Sequence, residues 1–184
     1  MRIIAGTARG TKLTAPAGQN TRPTSDRVRE ALFNIIADRL HGAMFLDLFA
    51  GSGAVGLEAL SRGAGFAVFA DIKQECARII RRNAEKIKLE DKTRILHMEA
   101  EKAVSFCARE VYKFDIIYLD PPYETTFITE ALTAMEKSEI IAPNALIVAE
   151  HGGSEICEVV AGFTVSRVKR YGDTVLTFIT KHES

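Results

Sequence analysis

The sequence predicts an α/β fold built on one mainly parallel sheet that ends in an antiparallel hairpin. From Met44 onward, short apolar runs alternate with helical segments, and a glycine-rich turn at residues 47–53 follows the first run. Near the end, Tyr171-Gly-Asp173 separates two β-rich runs. Strands separated by helices favour parallel pairing with helices on both faces, and a short glycine-containing loop is typical of a hairpin.

Size and composition are those of one soluble globular domain, with 184 residues, 47% hydrophobic and 26% charged. No apolar run is long enough to span a bilayer, and the first residues lack a secretion signal, so we expect a cytoplasmic protein and no membrane partner. Cys76, Cys107 and Cys157 are far apart, and the four histidines are scattered. We therefore expect neither a disulfide framework nor a metal site.

The charge is unevenly distributed. Residues 1–43 hold seven Lys or Arg against three Asp or Glu, and the remainder carries the compensating negative charge. A basic leading segment on a neutral protein indicates a local contact with a polyanion. The alternative is an ordinary solvated arm.

The first twenty residues predict a small β-hairpin arm. Two extended pieces, Arg2–Ala5 and Lys12–Thr14, flank a turn at Gly6–Gly10. We accordingly divide the chain into an arm of residues 1–20 and a domain of residues 21–184.

A helix over residues 24–39 is expected to open that domain, with Thr24 or Ser25 as its N-cap. Arg22, Arg27 and Arg29 lie near its start and away from its apolar stripe. The stripe has helical spacing and consists of Val28, Leu32, Ile35 and Ile36.

From Met44 the pattern predicts five strands, each followed by a helix except the last, and then the hairpin, which makes a seven-stranded sheet. The predicted strands are 44–49, 66–70, 93–98, 114–119, 145–150, 163–170 and 174–180, and the predicted helices are 54–62, 73–88, 101–109 and 126–137.

Acidic residues stand at or just beyond the ends of four of these strands: Asp47, Asp71, Glu99 and Asp120. Parallel strands present their carboxyl ends at one edge of the sheet, where ligands bind near the reversal of strand order. This convergence predicts the site.

The first half of the site suits a nucleotide-like cofactor. Gly51–Gly56 matches the pattern G-x-G-x-x-G, and Asp71 follows Gly51 by twenty residues. By itself this match would also suit a dinucleotide and an oxidoreductase. Asp47, just before the glycines, disfavours a pyrophosphate and suits an ammonium group, such as that of S-adenosylmethionine.

In that interpretation the glycines let the backbone approach the cofactor, and amides at the helix start receive its carboxylate. Asp71 would accept from the ribose hydroxyls. Glu99 either accepts from the adenine amino group or is a solvent-exposed acid. The complete candidate set is Asp47, Phe49, Ala50, Gly51, Ser52, Gly53, Asp71, Ile72, Glu99 and Ala100.

The second half, Asp120-Pro121-Pro122-Tyr123, suits methyl transfer to an aromatic amine. The carboxylate can accept one N–H of the amine and the Pro121 carbonyl the other, while the prolines fix φ and carry no competing donor. Tyr123 can stack on the base and hold it in line. A paired base cannot present its amine in this way, so the target must be unpaired or flipped out.

With these motifs the chain resembles the RsmD family of 16S rRNA guanine-N2 methyltransferases. The resemblance covers nearly the whole chain. Its segments are Arg2-Ile-Ile-Ala-Gly6, Arg9-Gly10, Arg22 to Asn34, Asp47 to Gly53, Gly56 to Leu60 and Asp120 to Tyr123.

The resemblance implies a Rossmann-like class I methyltransferase fold with a small N-terminal hairpin arm. It also implies S-adenosylmethionine as the methyl donor, and as target one guanine of small-subunit RNA in assembled or assembling subunits. Asp71 and Glu99 depart from the usual Glu and Asp of the family but keep the charge. We expect a monomer that contacts RNA through Arg2, Arg9, Lys12, Arg22, Arg27 and Arg29.

Two alternatives remain open. A DNA methyltransferase acting on adenine N6 or cytosine N4 would share the Asp-Pro-Pro-Tyr chemistry, although 184 residues leave little room for a target-recognition region. A non-catalytic RNA-binding or ribosome-assembly factor on a methyltransferase fold would leave the acid at Asp120 unexplained.

Overall fold

The computed structural model describes residues 1–16, 25–122, 126–153 and 159–182. The helices are α1 (Asp26–Ile35), α2 (Ala54–Ser61), α3 (Gln74–Lys86), α4 (Ala100–Arg109) and α5 (Thr126–Glu136). The strands are β1 (Met44–Asp47), β2 (Phe66–Asp71), β3 (Thr93–His97), β4 (Phe114–Leu119), β5 (Ile141–Gly152), β6 (Phe163–Tyr171) and β7 (Thr174–Lys181).

The strands form one seven-stranded sheet in the order β3-β2-β1-β4-β5-β7-β6. The pairs from β3 through β5 are parallel, whereas β7 is antiparallel to both β5 and β6. The predicted Rossmann-like sheet with a closing antiparallel hairpin is therefore confirmed. Strand order reverses between β1 and β4, so the two predicted halves of the site follow adjacent strands.

Helices cover both faces of the sheet, as the alternating pattern predicted. One apolar cluster joins one face to buried side chains of α1, α2 and α3, and a second joins the other face to those of α4 and α5. We call these the α1 face and the α5 face. Burial on both faces explains why residues 66–70 of β2 and 116–119 of β4 read as continuous apolar runs rather than as alternating ones.

The first helix is shorter than the predicted range of 24–39. It begins after Ser25, whose hydroxyl accepts the Val28 N–H over 3.2 Å, and it ends at Ile35. Ile36 has φ −96° and ψ 6°, and a 3-10 turn follows at Ala37–Arg39. Residues 17–24 lie outside the described residues. Arg22 and the alternative cap Thr24 are therefore not described.

The described part of the N-terminal segment, residues 1–16, packs on the α/β domain. It has hairpin pairing, with a bridge between Arg2 and Lys12 and a bond from the Ile3 N–H to the Thr11 carbonyl at 3.0 Å. Ile3, Ala8 and Leu13 are buried in the same cluster as α1, α2 and α3. The segment shares the core of the domain.

The fifth strand is longer than the predicted range of 145–150. Asn144 has φ 59°, yet the strand begins at Ile141. Phe114 pairs with Ile141 and Ile116 with Leu146, so an irregularity in register absorbs the intervening residues. A bulge of this kind lets a strand continue through residues that do not fit regular pairing.

Candidate active site

The glycine-rich turn joins β1 to α2 and is anchored to the strands on both sides. After Asp47, the Leu48 N–H donates to the backbone carbonyl of Tyr118 in β4 over 3.1 Å. The Ala50 N–H donates to the backbone carbonyl of Ala70 in β2 over 3.0 Å. Gly53 stands in the left-handed region with φ 76° at the start of α2. A left-handed residue at this point is best supplied by glycine. The turn is therefore held rigidly above the switch point.

Asp47 closes β1 and lies beneath this turn with only 2% of its surface exposed. Its Oδ2 accepts the Gly56 N–H over 3.0 Å, which ties the end of the strand to the first turn of α2. Burial raises the pKa of Asp47 to about 7, against the opposing effect of the Gly56 hydrogen bond, and the nearby negative charge of Asp71 adds to the rise.

Asp71 closes β2, the neighbour of β1, and also supports the turn. Its Oδ2 accepts the Gly51 N–H over 2.8 Å, and its Oδ1 accepts the Lys73 N–H over 2.8 Å. The Cys76 thiol also forms a hydrogen bond with this carboxylate, and lone pairs remain for further donors. The carboxylate is thus oriented by the backbone and half-buried at the edge where a cofactor would lie.

Ile72, Glu99 and Ala100 lie along the same edge at the ends of β2 and β3. Ile72 is 60% exposed, which is unusual for a large apolar side chain, and it follows a strand whose last residue pairs with His97. Glu99 precedes α4, which Ala100 begins, and its Oε2 pairs with Lys102 Nζ at 2.8 Å. An exposed apolar side chain beside a helix start could receive a flat ring.

The second half of the site follows β4. Asp47 pairs with Tyr118 in register, so Asp120 comes two residues beyond that pairing, at the same edge as the glycine-rich turn. Asp120 and Pro121 are partly exposed and Pro122 is exposed. Tyr123 lies outside the described residues. The structure thus brings Asp120 and the turn together at adjacent strand ends.

The predicted RNA-binding residues do not all lie on the surface. Arg2, Arg9, Lys12 and Arg27 are exposed, and Arg2 lies 3.8 Å from Asp26. For Arg29 the expectation of a phosphate contact is wrong, because its side chain is 0% exposed.

Arg29 instead belongs to an internal ion cluster. Its Nη2 donates to the Arg2 carbonyl and to Asp26, and its Nε lies 3.7 Å from Glu58 of α2. Glu58 in turn pairs with Arg62 at 2.7 Å and accepts the backbone N–H of Ile4 and Ala5 at 2.7 and 3.0 Å. The cluster joins α1, α2 and the N-terminal segment. The sequence analysis missed the signal that would have placed Arg29 on the buried face, which is its helical spacing of three and four residues to Leu32 and Phe33.

Sequence reasoning also missed Asn83 of α3, which is 1% exposed. Its Nδ2 donates to the carbonyls of Ser52 and Thr14 over 3.0 and 2.9 Å, and its Oδ1 accepts the Thr14 N–H over 2.9 Å. The signal was an asparagine three residues after Ile80, on the apolar stripe of the helix, where a polar side chain needs partners.

A second missed contact is aromatic. The ring of Phe127 on α5 lies 6.3 Å from the ring of Phe49, which follows β1. It packs the cofactor half of the site against the helix that follows Asp120–Tyr123. Nothing in the sequence pairs these two positions.

The structure offers little for metal or thiol chemistry. In the four described ranges, no cluster of three or more His, Cys, Asp or Glu could hold a metal ion. Cys76 and Cys107 are buried, and burial raises the pKa of both thiols to about 12, so neither is an activated nucleophile. Cys157 lies outside the described residues.

Among the helices that the structure describes, none is long and apolar enough to cross a membrane.

Comparison with known proteins identifies the family to which this chain belongs. Residues 1–180 match the family described as Conserved hypothetical protein 95. Ribosomal RNA small subunit methyltransferase D of Escherichia coli K12 is 38% identical over 150 residues, which are 82% of this chain and 74% of that protein.

Solved structures agree in fold. The structure of yhhF from Escherichia coli superimposes on this one with a TM-score of 0.86 at 30% identity. The superposition covers 98% of this chain and 97% of the yhhF chain. SMU.776, a methyltransferase solved as a complex with SAH, shares the fold at 16% identity and a TM-score of 0.69, covering 83% of this chain and 48% of that one. The chain therefore belongs to the Conserved hypothetical protein 95 family, the RsmD family of methyltransferases.

Proposed function

We propose that this protein transfers the methyl group of S-adenosylmethionine to the exocyclic N2 amine of a guanine in small-subunit (16S) ribosomal RNA. One observation carries the proposal: Asp120 and the glycine-rich turn follow adjacent strands, β4 and β1, at the point where strand order reverses. Neighbouring strands lie about 4.8 Å apart. A methyl group bound over the turn is then within reach of an amine held by Asp120.

S-adenosylmethionine is the cofactor, and its methionine part would lie along the turn from Phe49 to Gly53. Its carboxylate would accept backbone N–H groups at the start of α2. Its ammonium group would be drawn to the buried Asp47 carboxylate, which is poised to ionise because its pKa is about 7.

The adenosine part would extend towards β2 and β3. Asp71 already accepts two backbone donors and keeps lone pairs for the ribose hydroxyls. The adenine ring would cover Ile72, whose 60% exposure it would reduce, and would approach Glu99 and Ala100.

At the reacting centre, bound S-adenosylmethionine would supply the methyl group, so that a bond from the guanine N2 to the methyl carbon would replace the bond from that carbon to sulfur. The guanine amine is a weak nucleophile because its lone pair is delocalised into the ring. Asp120 and the Pro121 carbonyl accept its two N–H groups and orient the lone pair towards the methyl group, so positioning supplies much of the rate. The amine then loses one proton to solvent, and Pro122 and Tyr123 hold the base plane.

The RNA would be held by exposed cations of the N-terminal segment and α1, which are Arg2, Arg9, Lys12 and Arg27. Arg22, outside the described residues, stays with this group as an expectation. In the part of the chain that the structure describes, no ion pair or hydrogen bond joins the side chains of Arg2, Arg9, Lys12 and Arg27 to the glycine-rich turn, so changes to these side chains test phosphate binding apart from cofactor binding. The name of the Escherichia coli relative supports ribosomal RNA as the substrate class.

The test is methyl transfer from labelled S-adenosylmethionine to small ribosomal subunits that lack this modification, with the nucleoside identified by mass spectrometry. We expect a single N2-methylguanosine. Asp120→Ala should abolish transfer and leave cofactor affinity nearly unchanged. Asp115→Ala is the matched control, because Asp115 lies near the opposite end of β4, the strand that Asp120 follows, and accepts the Met44 N–H there over 2.8 Å.

Three outcomes would contradict the proposal. Label on duplex DNA and none on subunits would favour the DNA enzyme. Cofactor binding with no transfer to any ribosomal RNA would favour a non-catalytic assembly factor. Loss of cofactor binding in Asp120→Ala would remove Asp120 from the substrate side of the site.

A further inference from the structure

The outer strand β6 carries a concentration of positive charge that the proposed site does not use. Residues 163–171 contain three basic side chains and no acidic one. Arg167, Lys169 and Arg170 are exposed. Arg170 donates to the Gly153 carbonyl over 2.8 Å. Within the described ranges, the side chains of Arg167 and Lys169 have neither an ion-pair partner nor a hydrogen-bond partner.

An irregularity in β6 decides which way these two side chains point. Val165 pairs with Ile179, which packs on the α5 face, but the register shifts before the next pair, Arg167 with Phe178. Phe178 belongs to the α1 face. Directly paired residues share a face, and a one-residue shift moves the following side chains to the other face.

The shift therefore places both cations on the α1 face. Lys169 pairs with Leu176 and Tyr171 follows two residues later; the side chains of Leu176 and Tyr171 both pack in the α1-face cluster. Without the shift, Arg167 and Lys169 would continue the phase of Val165 on the α5 face.

Strand β6, which carries Arg167, Lys169 and Arg170, runs in a direction that brings its carboxyl end beside the active site. Strand β6 is antiparallel to β7, which is antiparallel to β5, so β6 runs parallel to β4. Its carboxyl end thus lies at the same edge as Asp120. Three strand spacings separate β6 from β4 in the sheet order, about 14 Å in all.

The N-terminal segment lies on the other side of the site. It is tied to α2 through Glu58 and to α3 through Asn83, and these helices cover β1, β2 and β3. Exposed cations thus flank Asp120 from both directions across the sheet. A ligand that contacts both sets while one base enters between them must be an extended polyanion.

We propose that Arg167 and Lys169 bind backbone phosphates of the RNA next to the target nucleotide, on the side opposite the N-terminal segment. The proposal rests on the proposed function, since it assumes an RNA substrate. Arginine and lysine contacts to phosphate position a strand without reading its sequence. The two cations would therefore align the RNA so that its target base meets Asp120.

A second effect of the same residues must be separated from this one. Charged side chains and bulges on an edge strand also discourage pairing with another chain. That effect predicts self-association when the charges are removed and no change in RNA affinity. Phosphate binding predicts weaker RNA binding by a protein that stays in its original oligomeric state.

The experiment compares the intact protein with the double variant Arg167→Gln/Lys169→Gln. The control is Lys88→Gln/Lys92→Gln, which removes the same charge from exposed positions just before β3, at the opposite edge of the sheet. Binding to 16S RNA and to unmethylated small subunits is measured over a salt series. Oligomeric state is measured by light scattering, and S-adenosylmethionine affinity by calorimetry.

We expect the Arg167/Lys169 variant to bind RNA and subunits about tenfold more weakly near 0.1 M salt. The slope of log K against log salt should be shallower by about 1.5 to 2. Cofactor affinity should not change. The control variant should bind RNA with a slope close to that of the unmodified protein.

Other outcomes would overturn the proposal. Equal slopes in the two double variants would show that only net charge matters. Loss of binding to subunits with unchanged binding to the RNA would assign β6 to a ribosomal protein. Self-association with unchanged RNA affinity would assign the charges to edge protection. If the unmodified protein neither binds nor methylates the RNA, the proposed function fails as well, which distinguishes that failure from the others.

Discussion

The side-chain amide of Asn83 donates a hydrogen bond of 3.0 Å to the backbone carbonyl of Ser52, inside the glycine-rich turn. The same side chain exchanges hydrogen bonds with Thr14 of the N-terminal segment. One buried residue on α3 therefore holds both the turn and the segment. The shape of the glycine-rich turn depends on a residue that lies 31 positions after Ser52 in the chain.

Asn83→Asp should weaken S-adenosylmethionine binding about fivefold or more, because it keeps the oxygen that accepts the Thr14 N–H but loses the donor to the Ser52 and Thr14 carbonyls. The loss of a buried hydrogen bond that leaves a partner unsatisfied costs about 1–3 kcal/mol. Calorimetric titration measures the effect.

Ser61→Ala is the control for this variant. The Ser61 hydroxyl also holds the N-terminal segment, through Ala5 and Ala8, but does not touch the turn. It should lower the melting temperature and leave cofactor affinity intact. Equal losses of affinity in both variants would show that loosening the segment, rather than releasing Ser52, is responsible.

Cofactor binding should depend on pH through Asp47. Its pKa rises from about 3.9 in an unfolded chain to about 7 in the folded protein. The contribution of this pKa shift to the free energy of unfolding is fully present below about pH 4 and is lost as the pH rises through 7. Between these values the folded protein still holds a proton that the unfolded chain has released.

An ammonium ligand favours the ionised form, so affinity should rise about tenfold between pH 6 and 8, with release of a proton near pH 7. Calorimetry in buffers of different ionisation enthalpy measures that proton. Asp47→Asn should bind weakly and without this pH dependence. An unchanged affinity across the range in the unmodified protein would exclude Asp47 as the ammonium partner.

Arg29→Gln should destabilise the protein without a specific effect on the salt dependence of RNA binding. It leaves the buried Glu58 carboxylate with one fewer cation, and breaking a buried pair costs up to about 3–5 kcal/mol, a loss that Arg62 would reduce. For a chain of this size each kcal/mol corresponds to about 2–4 °C in melting temperature.

The matched change Arg27→Gln, on the exposed side of the same helix, should have the opposite profile. Its melting temperature should stay near that of the unmodified protein, and its RNA binding should weaken with a shallower salt slope. A stable Arg29→Gln protein with the RNA defect would reverse our assignment of the two arginines.

Gly56→Ala should destabilise the protein although alanine favours helices. An alanine Cβ at this position would lie 2.3 Å from Cε1 of Phe69. Overpacking costs about 1–3 kcal/mol, which exceeds the gain of about 1 kcal/mol in helix propensity. Thermal unfolding measures the difference, and Phe69→Leu, which removes that ring atom, should rescue part of it. Additive effects of the two changes would refute the clash.

Much of the fold and site followed from local pattern. Apolar runs and glycine turns predicted the strands and helices to within a few residues for most elements. Asp47, Asp71 and Asp120 were predicted at one edge because parallel strands end together. That inference needs only the periodicity of the chain and the geometry of a parallel sheet.

The role of Arg29 was not predicted correctly, because burial depends on which neighbours a helix meets. Leu32 and Phe33 mark the face that packs, but only the fold brings Glu58 from α2 to receive the guanidinium. The contact between Asn83 and Ser52 and that between Phe49 and Phe127 likewise join residues distant in sequence. Side-chain type alone cannot distinguish such partners from solvent.

The sequence by itself determined the order of strands and helices, the edge at which the site lies and the residue types that the site presents, since these depend on local periodicity and turn chemistry. Only the tertiary structure decided which cations are buried, which side chain supports the glycine-rich turn, and towards which face the register shift in β6 turns Arg167 and Lys169. Those properties depend on packing between distant segments, where a shift of one residue in pairing reverses the direction of a side chain.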